Sequence, residues 1–140
     1  MLRGLATISF YADDVAEAAR WYAEFLGSEP YFSVAGPGGA PAYLEFRIGD
    51  YEHELGIIDR RFAPKGATGE PGRAIALWHV DDLDATVARL LELGATEYEP
   101  ITKRSEDFVT ASVVDPFGNV LGVMSNPHYL EILERDGLSR

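Results

Sequence analysis

The chain has 140 residues, 46% of them apolar and 25% charged, which suits one packed domain rather than two ordinary ones or a disordered segment. Twelve Lys and Arg against 23 Asp and Glu leave a net charge of −11, with no basic cluster beyond the pairs Arg60-Arg61 and Lys103-Arg104, so nucleic acid is excluded as an expected partner. The absence of cysteine removes disulfides, thiolate metal sites and cysteine nucleophiles together. No apolar run approaches the ~20 residues of a membrane span, and MLRGLATISF does not read as a signal peptide. No membrane partner and a cytoplasmic location are expected.

In chain order, Thr7, Ser9 and Tyr11 alternate with Ile8, Phe10 and Ala12, the period of two that marks a strand with unlike faces. Asp13-Asp14 follows, where a short carboxylate accepts the free amide hydrogens of a first helical turn; Asp14 and Glu17 have capping-box spacing. Val15, Ala18, Ala19, Tyr22, Phe25 and Leu26 then form one apolar helical face, and Gly27 supplies the left-handed residue that ends it. Three strand-like runs come next, at Tyr31 to Val34, Tyr43 to Ile48 and Glu54 to Ile58. GPGGAP separates the first two, and Gly49-Asp50 supplies the turn before the third.

The same scheme recurs after a linker at 63–73, which contains PKGATGEPGR. AIALWHVDDLDATVARLLELG repeats the strand, the Asp-Asp cap and the helix, with Asp14 recurring as Asp82 and Gly27 as Gly94. Strands follow at Thr96 to Ile101, Phe108 to Val114 and Val120 to Ser125, and HELGII (53–58) recurs as NVLGVM (119–124). Asn126-Pro127 reads as an N-cap with proline at the first helical position, so a short terminal helix is predicted over 127–135. The prediction is an α+β fold in a single domain over 1–140. Two tandem βαβββ modules, 4–62 and 74–125, form a cupped, partly open eight-stranded mixed sheet with helices outside. Two copies suggest internal pseudo-symmetry, not a solenoid.

The strand, Asp-Asp, Trp21-Tyr22 and Leu26-Gly27 series, WHVDDLDATVARLLELGA and DPFGNVLGVM together resemble the glyoxalase, bleomycin-resistance and extradiol dioxygenase (vicinal oxygen chelate) superfamily. That resemblance implies a metal centre in many members, with one ligand on the first and one on the last strand of each module. Here those positions fall on Thr7, Gly56, Ile75 and Gly122. Glycine and isoleucine carry no side-chain donor, so no metal and no cofactor are expected. The resemblance therefore points to the metal-free, antibiotic-binding branch, with a drug or metabolite sequestered in a cup shared across a homodimer.

Alternation places Thr7, Ser9, Tyr11, Glu54, Gly56, Ile58, Ile75, Leu77, His79, Val120, Gly122 and Met124 on the cup, with the two glycines leaving room on its floor. Phe10 and Trp78 fall on the opposite face, as core. Phe32, Tyr43, Phe46, Phe108 and Phe117 are expected in the core as well. The paired aspartates are explained by capping, and GPGGAP lacks the residues of a phosphate loop. One alternative is a structural or regulatory dimer whose cup is filled by its own side chains; the other is a lyase, isomerase or dioxygenase-like enzyme with an unusual metal site or with Glu54 and His79 as an acid/base pair. Against it stands the simpler reading of His79 as a rim histidine and Glu54 as an exposed carboxylate.

Overall fold

The computed structural model describes residues 1–67 and 69–138; position 68 of the expected linker and positions 139 and 140 of the expected domain lie outside the described residues. The chain forms two compact units, Met1–Glu70 and Pro71–Arg140, and the boundary falls in the stretch read as a linker.

In the first unit, β1 (Thr7–Ala12) leads into α1 (Val15–Leu26), followed by β2 (Phe32–Ala35), β3 (Pro41–Ile48) and β4 (His53–Asp59). Asp14 caps α1 by accepting the Glu17 amide hydrogen at 2.9 Å. Gly27, at φ 72°, ends it in the left-handed region, where a β-carbon would be strained. The four strands form one mixed sheet in the order β1-β4-β3-β2, with β1 parallel to β4 and the other pairs antiparallel.

The second unit repeats this with β5 (Leu77–His79), α2 (Leu83–Glu92), β6 (Thr96–Lys103), β7 (Val109–Val114) and β8 (Val120–Ser125), ordered β5-β8-β7-β6. Asp82 caps α2 through the Ala85 amide at 2.9 Å. A third helix, α3 (Pro127–Arg135), starts where Asn126-Pro127 predicts it; the Asn126 side chain accepts from the His128 amide at 3.0 Å. The eight strands and the two-module α+β organisation are therefore those read from the sequence, with strand pairing inside each unit as two four-stranded mixed sheets.

Strand alternation decides which face is core. Phe10 and Ala12 of β1, Leu44 and Phe46 of β3, and Leu55 and Ile57 of β4 are buried with Val15, Ala18 and Tyr22 of α1. Tyr22 lies 6.0 Å from Phe10 and 6.5 Å from Phe46 between ring centroids. Burying a side chain such as Phe46 completely contributes about 1.5–3 kcal/mol. In the second unit Leu83, Leu90, Ala111, Val113, Leu121 and Val123 form the equivalent core. The Asp115 carboxylate is only 4% exposed at the β7–β8 turn, and it accepts from the Phe117 and Asn119 amides at 2.9 and 2.8 Å. Among the described residues no helix is long and apolar enough to cross a membrane.

Candidate functional site: two sheet faces away from the core

The strand residues that alternate with the core positions form a second face on each sheet. In the first unit the parallel β1–β4 register sets Thr7 opposite Glu54, Ser9 opposite Gly56 and Tyr11 opposite Ile58. All six expected positions of this unit are thus brought side by side. Beside them, β3 adds Tyr43, Glu45 and Arg47, paired with Ile58, Gly56 and Glu54. At the edge, β2 adds Phe32 next to Glu45 and Val34 next to Tyr43.

Polar side chains on this face are tied to one another. Thr7 donates to Glu54 at 2.7 Å, and Arg47 stands 3.7 Å from the other Glu54 oxygen. Tyr31 and Tyr43 both donate their phenolic hydrogens to Glu45. The Arg47 guanidinium lies over the Tyr31 ring, 4.3 Å from its centroid. The two phenols, Tyr31 first, hold the Glu45 carboxyl below the usual carboxylate range. In return the Glu45 bond pushes Tyr31 up to about 12, and burial followed by the same carboxylate raises Tyr43.

The glycine of this face leaves no room. A β-carbon on Gly56 would stand 3.0 Å from the Tyr43 ring and 3.1 Å from its hydroxyl, so the tyrosine already fills the expected floor. Tyr43 and the 47%-exposed Phe32, which meet edge to face at 6.2 Å, are also not core residues as expected; Phe46 is.

In the second unit β5 and β8 set Leu77 opposite Gly122 and His79 opposite Met124. Ile75 precedes β5, yet it reaches the same glycine. A β-carbon on Gly122 would meet the Ala76 carbonyl oxygen at 2.6 Å, Leu77 Cδ2 at 2.7 Å and Ile75 Cγ2 at 2.9 Å. Here too the expected space is covered. Beside this cover lies a recess of about 170 Å³ bounded by Ile75, Leu77, Glu99, Arg104, Thr110 and Ser112. Arg104 donates to Thr110 at 3.0 Å and to Glu99 at 3.3 Å. Ser112, paired with Gly122, is 2% exposed, and its hydroxyl has no hydrogen-bond partner among the described residues. A buried hydroxyl in that state costs about 1–3 kcal/mol.

His79 is not a rim residue. Its side chain is 8% exposed and stacks on Tyr129 of α3 at 4.9 Å and 16°. Its Nδ1 accepts the Asn126 amide hydrogen at 3.1 Å, which places the ring proton of the neutral tautomer on Nε2. Nε2 stands 3.5 Å from an Asp81 oxygen, outside hydrogen-bonding geometry. The expected acid/base candidates are therefore both engaged inside their own units, Glu54 by Thr7 and Arg47, His79 by the start of α3.

Tyr31, Glu45, Arg47, Glu99, Arg104, Thr110 and Ser112 are absent from the sequence-based set. All lie on, or just outside, the two strands of each sheet that the prediction left out of the face. A signal was available: Tyr43, Glu45 and Arg47 alternate with Leu44, Phe46 and Ile48, as Thr110 and Ser112 do with Ala111 and Val113.

Comparison with known proteins agrees with this topology. The model of the Glyoxalase/Bleomycin resistance protein/Dioxygenase superfamily matches residues 4–123, and the chain belongs to that superfamily. Among solved structures it is similar to a glyoxalase/bleomycin resistance protein from Catenulispora acidiphila (22% identity, 89% of this chain and 100% of that one, TM-score 0.60). It is also similar to a glyoxalase-related enzyme from Fulvimarina pelagi (20% identity, 90% of each chain, TM-score 0.69). A third is protein ATC0852 from Agrobacterium tumefaciens (20% identity, 89% and 98%, TM-score 0.70). At these identities the likeness is one of fold. No curated protein matches the chain.

The residues at the superfamily's ligating positions do not fit a divalent metal ion. Of Thr7, Gly56, Ile75 and Gly122, three carry no donor, and Thr7 already donates to Glu54, whose other oxygen faces Arg47. Aromatic or aliphatic atoms occupy the space in front of both glycines. Among the described residues no group of three or more His, Asp or Glu converges as a metal site elsewhere.

Proposed function

We propose that this protein binds a small organic molecule without the help of a metal ion, and sequesters it as a drug or metabolite rather than transforming it. One observation carries the reading: the surfaces beside Gly56 and Gly122 are finished with Tyr43, Ile75 and Leu77 instead of ligating side chains. Flat aromatic and aliphatic surface with a few fixed polar groups is the composition of ligand sites, not of metal centres. Arg47 stacked on Tyr31 and Phe32 against Tyr43 add planar surface on which a ring can lie.

The proposal extends to a homodimer whose partner copy completes the binding surface, supported by exposed Tyr31, Phe32 and Val34 along the edge strand β2. It also places the protein in the cytoplasm. The net charge of −11 favours neutral or cationic ligands through long-range attraction.

Elemental analysis of the purified protein, with melting curves in the presence of divalent ions and of chelator, tests the central claim. The expected result is substoichiometric metal and an unchanged melting temperature. Near-stoichiometric metal that stabilises the fold would overturn it. A melting-temperature screen of planar uncharged and cationic molecules should then yield binders with one-to-one stoichiometry and no product.

A further inference from the structure

The recess on the second unit combines three features that specify a ligand group. Its walls Ile75 and Leu77 are aliphatic. Arg104 and Glu99 lie side by side, a donor and an acceptor 3.3 Å apart that cancel each other's charge. The third is the Ser112 hydroxyl, buried and without a partner among the described residues.

We propose that this recess receives a neutral amide edge, a carboxamide or lactam, carried by an otherwise apolar small molecule. The ligand carbonyl accepts from Ser112 and Arg104, and its N–H donates to Glu99. A carboxylate is disfavoured because Glu99 repels it and already neutralises Arg104; an ammonium is disfavoured by the guanidinium. A group with one donor and one acceptor pairs with both without leaving a charge behind. The recess of about 170 Å³ holds a small ring with its amide, not a whole drug-sized molecule, so it is an anchoring pocket within a larger surface. Entry requires Leu77, 43% exposed and lying over Gly122, to change rotamer and uncover Ser112.

This inference rests on the small-molecule-binding reading and goes beyond it in naming the recognised group. Benzamide, benzoate and benzylamine share one ring and differ in the charge and the donors and acceptors of the polar group. Titrating each into isotope-labelled protein, and following the backbone amide signals of Leu77, Thr110 and Ser112, reads the preference directly. Benzamide is expected to move these signals saturably and to bind at least several-fold tighter than the two charged probes.

Ser112→Ala should weaken benzamide about five- to tenfold, the effect of one ligand hydrogen bond. Its melting temperature should stay unchanged or rise, because no protein group uses that hydroxyl. Glu99→Gln should shift the preference toward benzoate by freeing Arg104. Equal binding of the three probes, or undiminished benzamide binding by Ser112→Ala, overturns the inference. If benzamide fails while larger planar molecules bind and perturb other residues, the amide recess falls and the binding reading stands. If no molecule of any class perturbs either face, both fall.

Discussion

Glu45 in the first unit and Ser112 in the second stand at the same point of the repeat, each paired with the glycine of its last strand. Their surroundings differ. Two phenols bond Glu45 while Arg47 and Glu54 complete the network around it; Ser112 lies between Gly122 and Glu99, beside Ile75 and Leu77, and its hydroxyl is unused among the described residues. The richly polar face is therefore the chemically saturated one. Thr7, Tyr31, Tyr43, Glu45, Arg47 and Glu54 already have partners there, so a ligand must disturb an existing contact to engage any of them. The second face keeps unmet groups, the Ser112 hydroxyl among them, where a newcomer gains a hydrogen bond without breaking one once Leu77 has turned aside. The count of polar residues on a surface is a worse guide to binding than the fraction left unsatisfied.

Substituting the two glycines probes this difference most strongly. Gly122→Ala drives a β-carbon to 2.6 Å from the Ala76 carbonyl oxygen, a backbone atom that cannot turn aside. A destabilisation of about 3 kcal/mol is expected in denaturant unfolding, at the upper end of overpacking costs. Gly56→Ala meets only the Tyr43 ring, so about 1–2 kcal/mol is expected, with loss of the Tyr43–Glu45 bond. Equal costs would mean that the two floors are built alike.

The helix caps provide a control in which the units should not differ. Asp14→Ala and Asp82→Ala each remove one carboxylate bond to an amide at 2.9 Å, and each should cost about 1 kcal/mol.

The smallest expected effect is a tilt of stability with pH from Glu45 and Tyr31 of the first unit. The depressed Glu45 carboxyl contributes stability that is complete above its ordinary value near 4.5 and is lost as pH falls through the lower folded value. The raised Tyr31 contributes stability that is complete below its ordinary value of 10 and is lost as pH rises through about 12. Glu45→Gln should lessen the slope at both ends of the curve without removing it, since Arg61 also holds Asp59 low and burial alone raises Tyr43, whereas Ser112→Ala should leave its shape unchanged.

Most of the architecture was legible because it rests on local signals. Period-two alternation in Thr7 to Ala12, the Asp14 and Asp82 caps, Gly27 and Asn126-Pro127 each announce an element through backbone chemistry that needs no distant partner. The faces were legible only in part. The first and last strands of each module could be placed through the repeat, and their residues do lie together.

What the glycines adjoin depends on side chains from other strands or from outside the strand, as with Tyr43 over Gly56 and Ile75 over Gly122, so an open floor was expected where none exists. Glu99 was hidden for a further reason. The β6–β7 register shifts on either side of it, and alternation counted along β6 loses its phase there. His79 carries no sequence mark of its stacking on Tyr129, 50 positions along the chain.

The Asp115 turn bears on the order in which the second sheet assembles. Its carboxylate organises the few residues between β7 and β8, so that hairpin closes locally. Pairing β5 with β8 must instead bring His79 to Met124 across the whole intervening chain. By loop-closure entropy that separation costs roughly 2 kcal/mol more than the hairpin. The hairpin is thus expected to form first and β5 to add to it later, carrying Leu77 into position over a glycine whose strand is already in place; slower protection of the β5 than of the β7 amides in pulse-labelled hydrogen exchange during refolding checks this order.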